Sequence, residues 1–169
     1  MKSLPTIVLR LVLALVISQM LLSSASGYSP DHPKVREMIE KAKSYLAKSK
    51  HNLPGGKALG ALVFVKDDEP DHPKVIEAIA ACEQYASKSV DELSNVNTSY
   101  ELSLIIIFLS ELDPDKYRAT IDKLLEATWK RQKPHGGFGY TSKPTGDTSM
   151  TQYVAVSYTH LTLPTICSV

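Results

Sequence analysis

Few residues in this chain carry reactive side chains, and their spacing is loose. The histidines are His32, His51, His72, His135 and His160. No two of them sit at the close spacing of a zinc site, and the only cysteines are Cys82 and Cys167. Cys82 falls on the apolar face of a helical pattern, where packing is the expected role. Asp67-Asp68-Glu69 is the densest acidic cluster, but it precedes a helix start and reads as a solvated turn. Asp147-Thr148 stands where a helix cap is expected. A Gly-x-Ser-x-Gly elbow, a phosphate loop and His-Glu-x-x-His are all missing. No catalytic, metal or cofactor-binding residue is therefore expected, and whether the whole protein is an enzyme stays open. Tyr100, Phe138, Tyr140 and Tyr153 could line a cavity, since aromatic faces suit polyenes and developing cations. Asn97-Thr98-Ser99 is a formal glycosylation sequon whose use depends on the host.

The elements that must position these residues come from a repeat. Residues 29–49, SPDHPKVREMIEKAKSYLAKS, align with residues 69–89, EPDHPKVIEAIAACEQYASKS. A weaker third copy opens at Asp113-Pro114-Asp115. An offset of about forty residues is that of a helical hairpin. In each copy an Asp is expected to cap the helix, with Pro in the first turn. Val75, Ile79, Cys82 and Tyr85 recur at helical spacing, as do Val35, Ile39, Ala42 and Tyr45. The opposite faces carry Lys, Glu, Gln and Ser, so these helices should be amphipathic.

Between them lie segments that are apolar nearly all round, Lys57 to Lys66 and Tyr100 to Leu112. Their β-branched runs would suit strands. Gly55-Gly56, Asn97-Thr98-Ser99 and the alternation with long amphipathic helices point instead to buried helices. Wet helices alternating with dry ones predict two layers. Long amphipathic helices are expected near 31–49, 71–88 and 115–132, and dry ones near 57–66 and 100–112.

Arg131 to Ala155, RQKPHGGFGYTSKPTGDTSMTQYVA, has the most distinctive composition. Gln132 should end a helix and reach the backbone of the next turn. Gly136, Gly137 and Gly139 permit angles and approaches closed to other residues. Phe138 can plug the gap between repeats, and Asp147 or Thr148 should cap the next helix. Gln132, Gly137 and Phe138 resemble the Gln-x-x-x-Gly-x-Trp-type repeat of squalene and hopene cyclases, with Phe in place of Trp. The Gly-Gly-Phe-Gly turn also looks like that of protein prenyltransferase β subunits. The 146–153 stretch is similar to exported bacterial members of the same superfamily. The resemblance covers most of 29–155. It implies an all-α fold, an α/α toroid of helical hairpins, here incomplete. It also marks Tyr100, Gln132, Gly137, Phe138, Tyr140, Asp147 and Tyr153 as repeat-motif or cavity-lining positions. The Asp-rich acid motif of the cyclases and the Asp, Cys and His zinc ligands of the transferases have no counterpart here.

Both ends of the chain carry signals of their own. Lys2 and Arg10, the apolar run Leu11 to Leu22 and the small residues Ser23 to Gly27 read as a secretory leader spanning 1–27. The run is short for a membrane span. Residues Val156 to Thr165, VSYTHLTLPT, are what GTC TCT TAT ACA CAT CTG ACG CTG CCG ACG encodes. That string resembles the adapter of a transposase-based sequencing library, CTGTCTCTTATACACATCT and onward. Its opening CT completes an alanine codon, GCT, at Ala155. The adapter's index fills Ile166, Cys167 and Ser168, and its GTGTAG supplies Val169 and a stop. Residues 156–169 are thus expected to be artefactual, leaving 28–155 as a partial toroid domain. His160 and Cys167 then drop out of any functional reading, and native coding sequence should depart from this one at the codon for residue 155.

The chain has 19 Lys and Arg against 18 Asp and Glu, with no basic face to suit nucleic acid or anionic lipid. A secreted or periplasmic protein is expected, with an apolar ligand or a protein as partner. Membrane contact is expected only through an uncleaved leader. The leading expectation is a ligand- or protein-binding toroid domain. The alternative is a terpenoid-cyclase, prenyltransferase-type or polysaccharide-acting enzyme whose catalytic residues lie in a missing C-terminal part.

Overall fold

The computed structural model describes residue 29 and residues 31–162, so the expected leader and residues 163–169 of the expected tail lie outside the described residues. Among the described residues every regular element is helical: α1 Pro33–Lys48, α2 Pro54–Lys66, α3 Pro73–Ala86, α4 Val90–Ser94, α5 Tyr100–Leu112, α6 Arg118–Trp129 and α7 Thr148–Thr162. No helix there is long and apolar enough to cross a membrane. The chain divides into two compact units, residues 1–41 and 42–169, with the boundary inside α1.

The described part of the first unit is the opening of α1. His32 Nδ1 accepts from the Lys34 backbone N–H at 3.2 Å. Arg36 pairs with Asp31, and Lys41 with Glu37 one turn earlier. Met38 is 70% exposed and Ile39 is 40% exposed. Tyr45, further along the same helix, is 74% exposed. Of the stripe expected to be buried in this helix, Ile39, Ala42 and Tyr45 are exposed and Val35 and Leu46 half-buried, whereas Val75, Cys82 and Ala86, the repeat equivalents of Val35, Ala42 and Leu46, are buried in α3.

In the second unit the two dry helices, α2 and α5, are side by side, and α5 also packs on α7, which has an exposed side and runs from Val156 on through the expected tail. The amphipathic helices form a second row, α3 on α2 and α6 on α5, with α3 also touching α6. The short α4 lies against α6. Burial explains why Ile105-Ile106-Ile107 is helical despite its β-branched run. Leu102, Ile105, Ile106, Phe108 and Leu109 have no exposure, and packing on several sides overrides a propensity difference of a few tenths of a kcal/mol per residue. Each such side chain contributes about 1.5–3 kcal/mol relative to leaving it in water.

Helix starts differ from expectation in all three repeat copies. In the first, His32 rather than Asp31 accepts from the opening backbone. In the third, α6 begins only at Arg118, behind Tyr117 and with no side-chain cap, so Asp113 and Pro114 lie ahead of the helix. At α3 the cap is His72, not Asp71: its Nδ1 accepts from the Lys74 N–H at 3.1 Å, with Pro73 in the first turn. The His72 ring also stacks on Phe64 at 3.7 Å between centroids. The imidazole thus caps and packs in one position, and a shorter Asp could do only the first. Helix α4 was not anticipated. Its signal is Ser89-x-x-Glu92, a full capping box in which each side chain bonds the other residue's backbone N–H.

Cross-links between elements are mostly long cations. Lys43 of α1 is buried against Asp67 and Glu69, which raises its pKa through both hydrogen bonds. Glu77 binds Lys57 at 2.9 Å and Lys74 at 3.3 Å, and both pull its carboxyl below the ordinary range. Asp68 takes a positive φ of 57° in the turn after α2, a conformation that Asp tolerates better than most residues. Cys82 is fully buried, and desolvation pushes its thiol up to about 12. It behaves as a small core residue rather than a nucleophile.

Arg131 is the most deeply buried cation, 7% exposed. Its Nε donates to Ser99 Oγ at 3.0 Å, and Nη1 donates to the Ser94 and Val96 carbonyls. It thereby ties the end of α6 to the α4–α5 loop. Arg131→Ala is expected to destabilise the protein by about 2–4 kcal/mol, because two carbonyls and a buried hydroxyl lose their donor. Arg131→Lys should fall between, since an ammonium cannot fork to all three. Urea denaturation of the three proteins checks the order; equal midpoints for Arg131→Ala and wild type would contradict it.

Candidate functional site

The Gly-rich turn between α6 and α7 is held by a dense set of side-chain to backbone hydrogen bonds. Gln132 lies just past the end of α6, and its Nε2 donates to the Gly136 carbonyl at 2.9 Å. Gly136 has a φ of 87°, open to glycine and costly for most other residues. The turn closes through Gly136 N–H to Lys133 O and Lys133 N–H to Gly137 O, at 2.8 and 2.9 Å. Lys133 Nζ then donates to the Tyr140 and Lys143 carbonyls, holding the loop from below. At Gly139 a Cβ would stand 2.7 Å from the Thr145 carbonyl, so only glycine permits this approach.

Phe138 is buried with Met150 and Val154, and Tyr100 and Tyr140 pack at the edge. Its backbone is fixed to α7: the N–H donates to Thr151 Oγ1 at 3.0 Å, and the carbonyl accepts from the Asp147 N–H at 2.7 Å. Asp147 caps α7, its Oδ1 accepting from the Met150 N–H at 2.9 Å and from Ser149 Oγ at 2.6 Å. These bonds, with the Ser149 hydroxyl the largest cause, hold its carboxyl below the ordinary value. Tyr100 OH shares a 2.5 Å hydrogen bond with Ser149 Oγ. Tyr100 and Tyr153 meet edge to face at 5.4 Å between centroids.

The first turns of α2, α5 and α7 therefore meet along one rim. Glu101, at the start of α5, accepts from the Gly55 N–H of α2 at 2.6 Å. Tyr100 on the same turn reaches Ser149 of α7. Carboxylates at the ends of α2 and α7 answer the free N–H groups and positive dipole ends there.

An open groove of about 870 Å³ runs beside this rim, lined by His135, Gly136, Gly137, Gly146, Asp147, Thr148, Thr151, Gln152 and Ala155. His135 Nδ1 accepts from the Gly137 N–H at 3.2 Å, so a neutral ring carries its proton on Nε2. Of the sequence-derived positions, Gly137 and Asp147 line the groove. Gln132 supports its wall through Gly136. Phe138 and Tyr140 lie in the packing beneath, and Tyr100 and Tyr153 stand at the rim. His135, Thr151 and Lys133 were not singled out as a group, because their roles come from contacts across a turn rather than from spacing. Nothing groups three or more His, Cys, Asp or Glu side chains around a common point among the described residues. The groove's chemistry is hydrogen bonding from backbone, hydroxyl, amide and carboxylate groups.

Asp147→Ala is expected to lower the melting temperature at neutral pH, because α7 loses its cap. Asp147→Asn, which keeps an acceptor, should recover part of the loss. The sign of the pH dependence follows from the depressed carboxyl. Its stabilisation is present above the unfolded carboxylate range, near pH 4, and is lost as pH falls through the lower folded value. The wild-type advantage over Asp147→Asn should therefore shrink on acidification, and an advantage that grows below about pH 4 would contradict the assignment. Comparisons with protein-family models, with curated proteins and with solved structures found no match.

Proposed function

We propose that this chain is part of an exported, squalene-cyclase- and prenyltransferase-like α/α toroid whose role is binding, with the groove beside the helix rim seating a segment of a protein partner. Dry α2 and α5 side by side, backed by amphipathic α3 and α6, support the repeat architecture. The observation that carries the binding reading is the groove's lining. Three glycines, two threonines and Ala155 share it with His135, Asp147 and Gln152. Such a mixed wall matches the alternating apolar and amide character of a polypeptide better than an all-carbon ligand. Residues 156–169, read as adapter, are assigned no part in it.

Selection of a displayed random-peptide library on the full chain tests this. Binders are expected to lose at least about tenfold in affinity, about 1.4 kcal/mol, with Thr148→Trp or Gln152→Arg, both exposed residues of the groove. Ile76→Arg on α3, exposed and outside the groove, should leave them unchanged. A selection that yields no binders, or binders indifferent to both groove variants, overturns the reading.

A further inference from the structure

We propose that Asn97 is an acceptor for an N-linked oligosaccharide, and that the sugar is attached before the chain folds. This rests on the export reading above, because the transferase acts on chains entering a secretory compartment. Asn97-Thr98-Ser99 has the required pattern, with Thr rather than Pro at the centre and Tyr100 following.

The structure adds what the pattern lacks. Asn97 is exposed in the loop between α4 and α5. Its side-chain oxygen makes one long contact, 3.4 Å from Thr141 Oγ1, and among the described residues its amide nitrogen makes no hydrogen bond. A glycan on that nitrogen displaces nothing in the core. Ser99 is the opposite case. It has no exposure, and its hydroxyl accepts from buried Arg131 at 3.0 Å. A transferase must hold the sequon extended and engage that hydroxyl. The folded loop cannot offer it, so modification has to precede the docking of Arg131, which lies 32 residues downstream.

The chemistry balances without an oxidant or reductant. The Asn97 amide nitrogen attacks C1 of the first sugar of a lipid-pyrophosphate-linked oligosaccharide. The N–C1 bond forms and the C1–O bond to pyrophosphate breaks. The lipid pyrophosphate leaves and the nitrogen gives up one proton.

The full chain is expressed in a eukaryotic secretory host in two forms, with its own residues 1–27 and with a well-characterised leader in their place. The expected result is a one-glycan mass increase removed by peptide N-glycosidase, absent in Asn97→Gln and in Ser99→Ala. Asn97→Gln, altering an exposed residue, should still fold; Ser99→Ala also loses the Arg131 contact and should melt lower. In vitro, transferase with a lipid-linked donor should modify urea-unfolded chain and leave folded chain untouched. No glycan behind the well-characterised leader overturns the acceptor assignment. A glycan there but none behind the native residues overturns the export reading alone. Equal modification of folded and unfolded chain overturns the proposed order of events.

Discussion

Burial of α5 on several sides is the constraint on which the other elements of the second unit depend. A helix reading Tyr-Glu-Leu-Ser-Leu-Ile-Ile-Ile-Phe-Leu-Ser-Glu-Leu has no polar stripe to turn to water. It must be surrounded, and α2, α6 and α7 all pack on it. Small residues make this close. Ser103 and Ser110 are buried in the helix, and Ala58 and Ala61 are buried on α2. The two serine hydroxyls have no hydrogen-bond partner among the described residues, a cost of about 1–3 kcal/mol each. The surrounding apolar burial offsets it.

The rim follows from that packing. Once the dry helices lie side by side with their first turns together, several free backbone N–H groups converge. Glu101 answers those of α2, and Asp147 answers those of its own helix. The neighbouring turn is then held by Lys133, Gln132 and Thr151, each donating to or accepting from backbone. Side chains committed to backbone in this way leave the groove wall preformed. A preformed wall lowers the ordering cost of any contact made there.

Much of the helical plan was legible in the chain. The period of apolar residues located α3, the weaker third repeat copy located α6, and the unbroken apolar runs with their preceding Gly or Asn-Thr-Ser located α2 and α5. What was hidden has physical reasons. The pattern Asp-His-Pro offers two capping residues, and choosing His72 over Asp71 required knowing that Phe64 waits to stack on its ring. Arg131 and Lys133 look like surface charges in one dimension. Only the fold shows them donating to carbonyls of the α4–α5 loop and of the Gly turn. Ile39 and Tyr45 have the spacing of a buried stripe, but spacing does not say which side chains a neighbouring element covers. Ser89-x-x-Glu92 is a readable capping box, but the five-residue helix it opens is too short to show an apolar period.

Native-state hydrogen exchange measures the dependence on α5 most directly. The account predicts that amides of Ile105 to Leu109 exchange only through global unfolding, and so share one free energy with those of Ala58 to Ala61 and of Ile121 to Leu124. Exchange at Ile105 to Leu109 through smaller openings, as fast as at Met38 to Ala42 in α1, would show that α5 is not the element holding the others together.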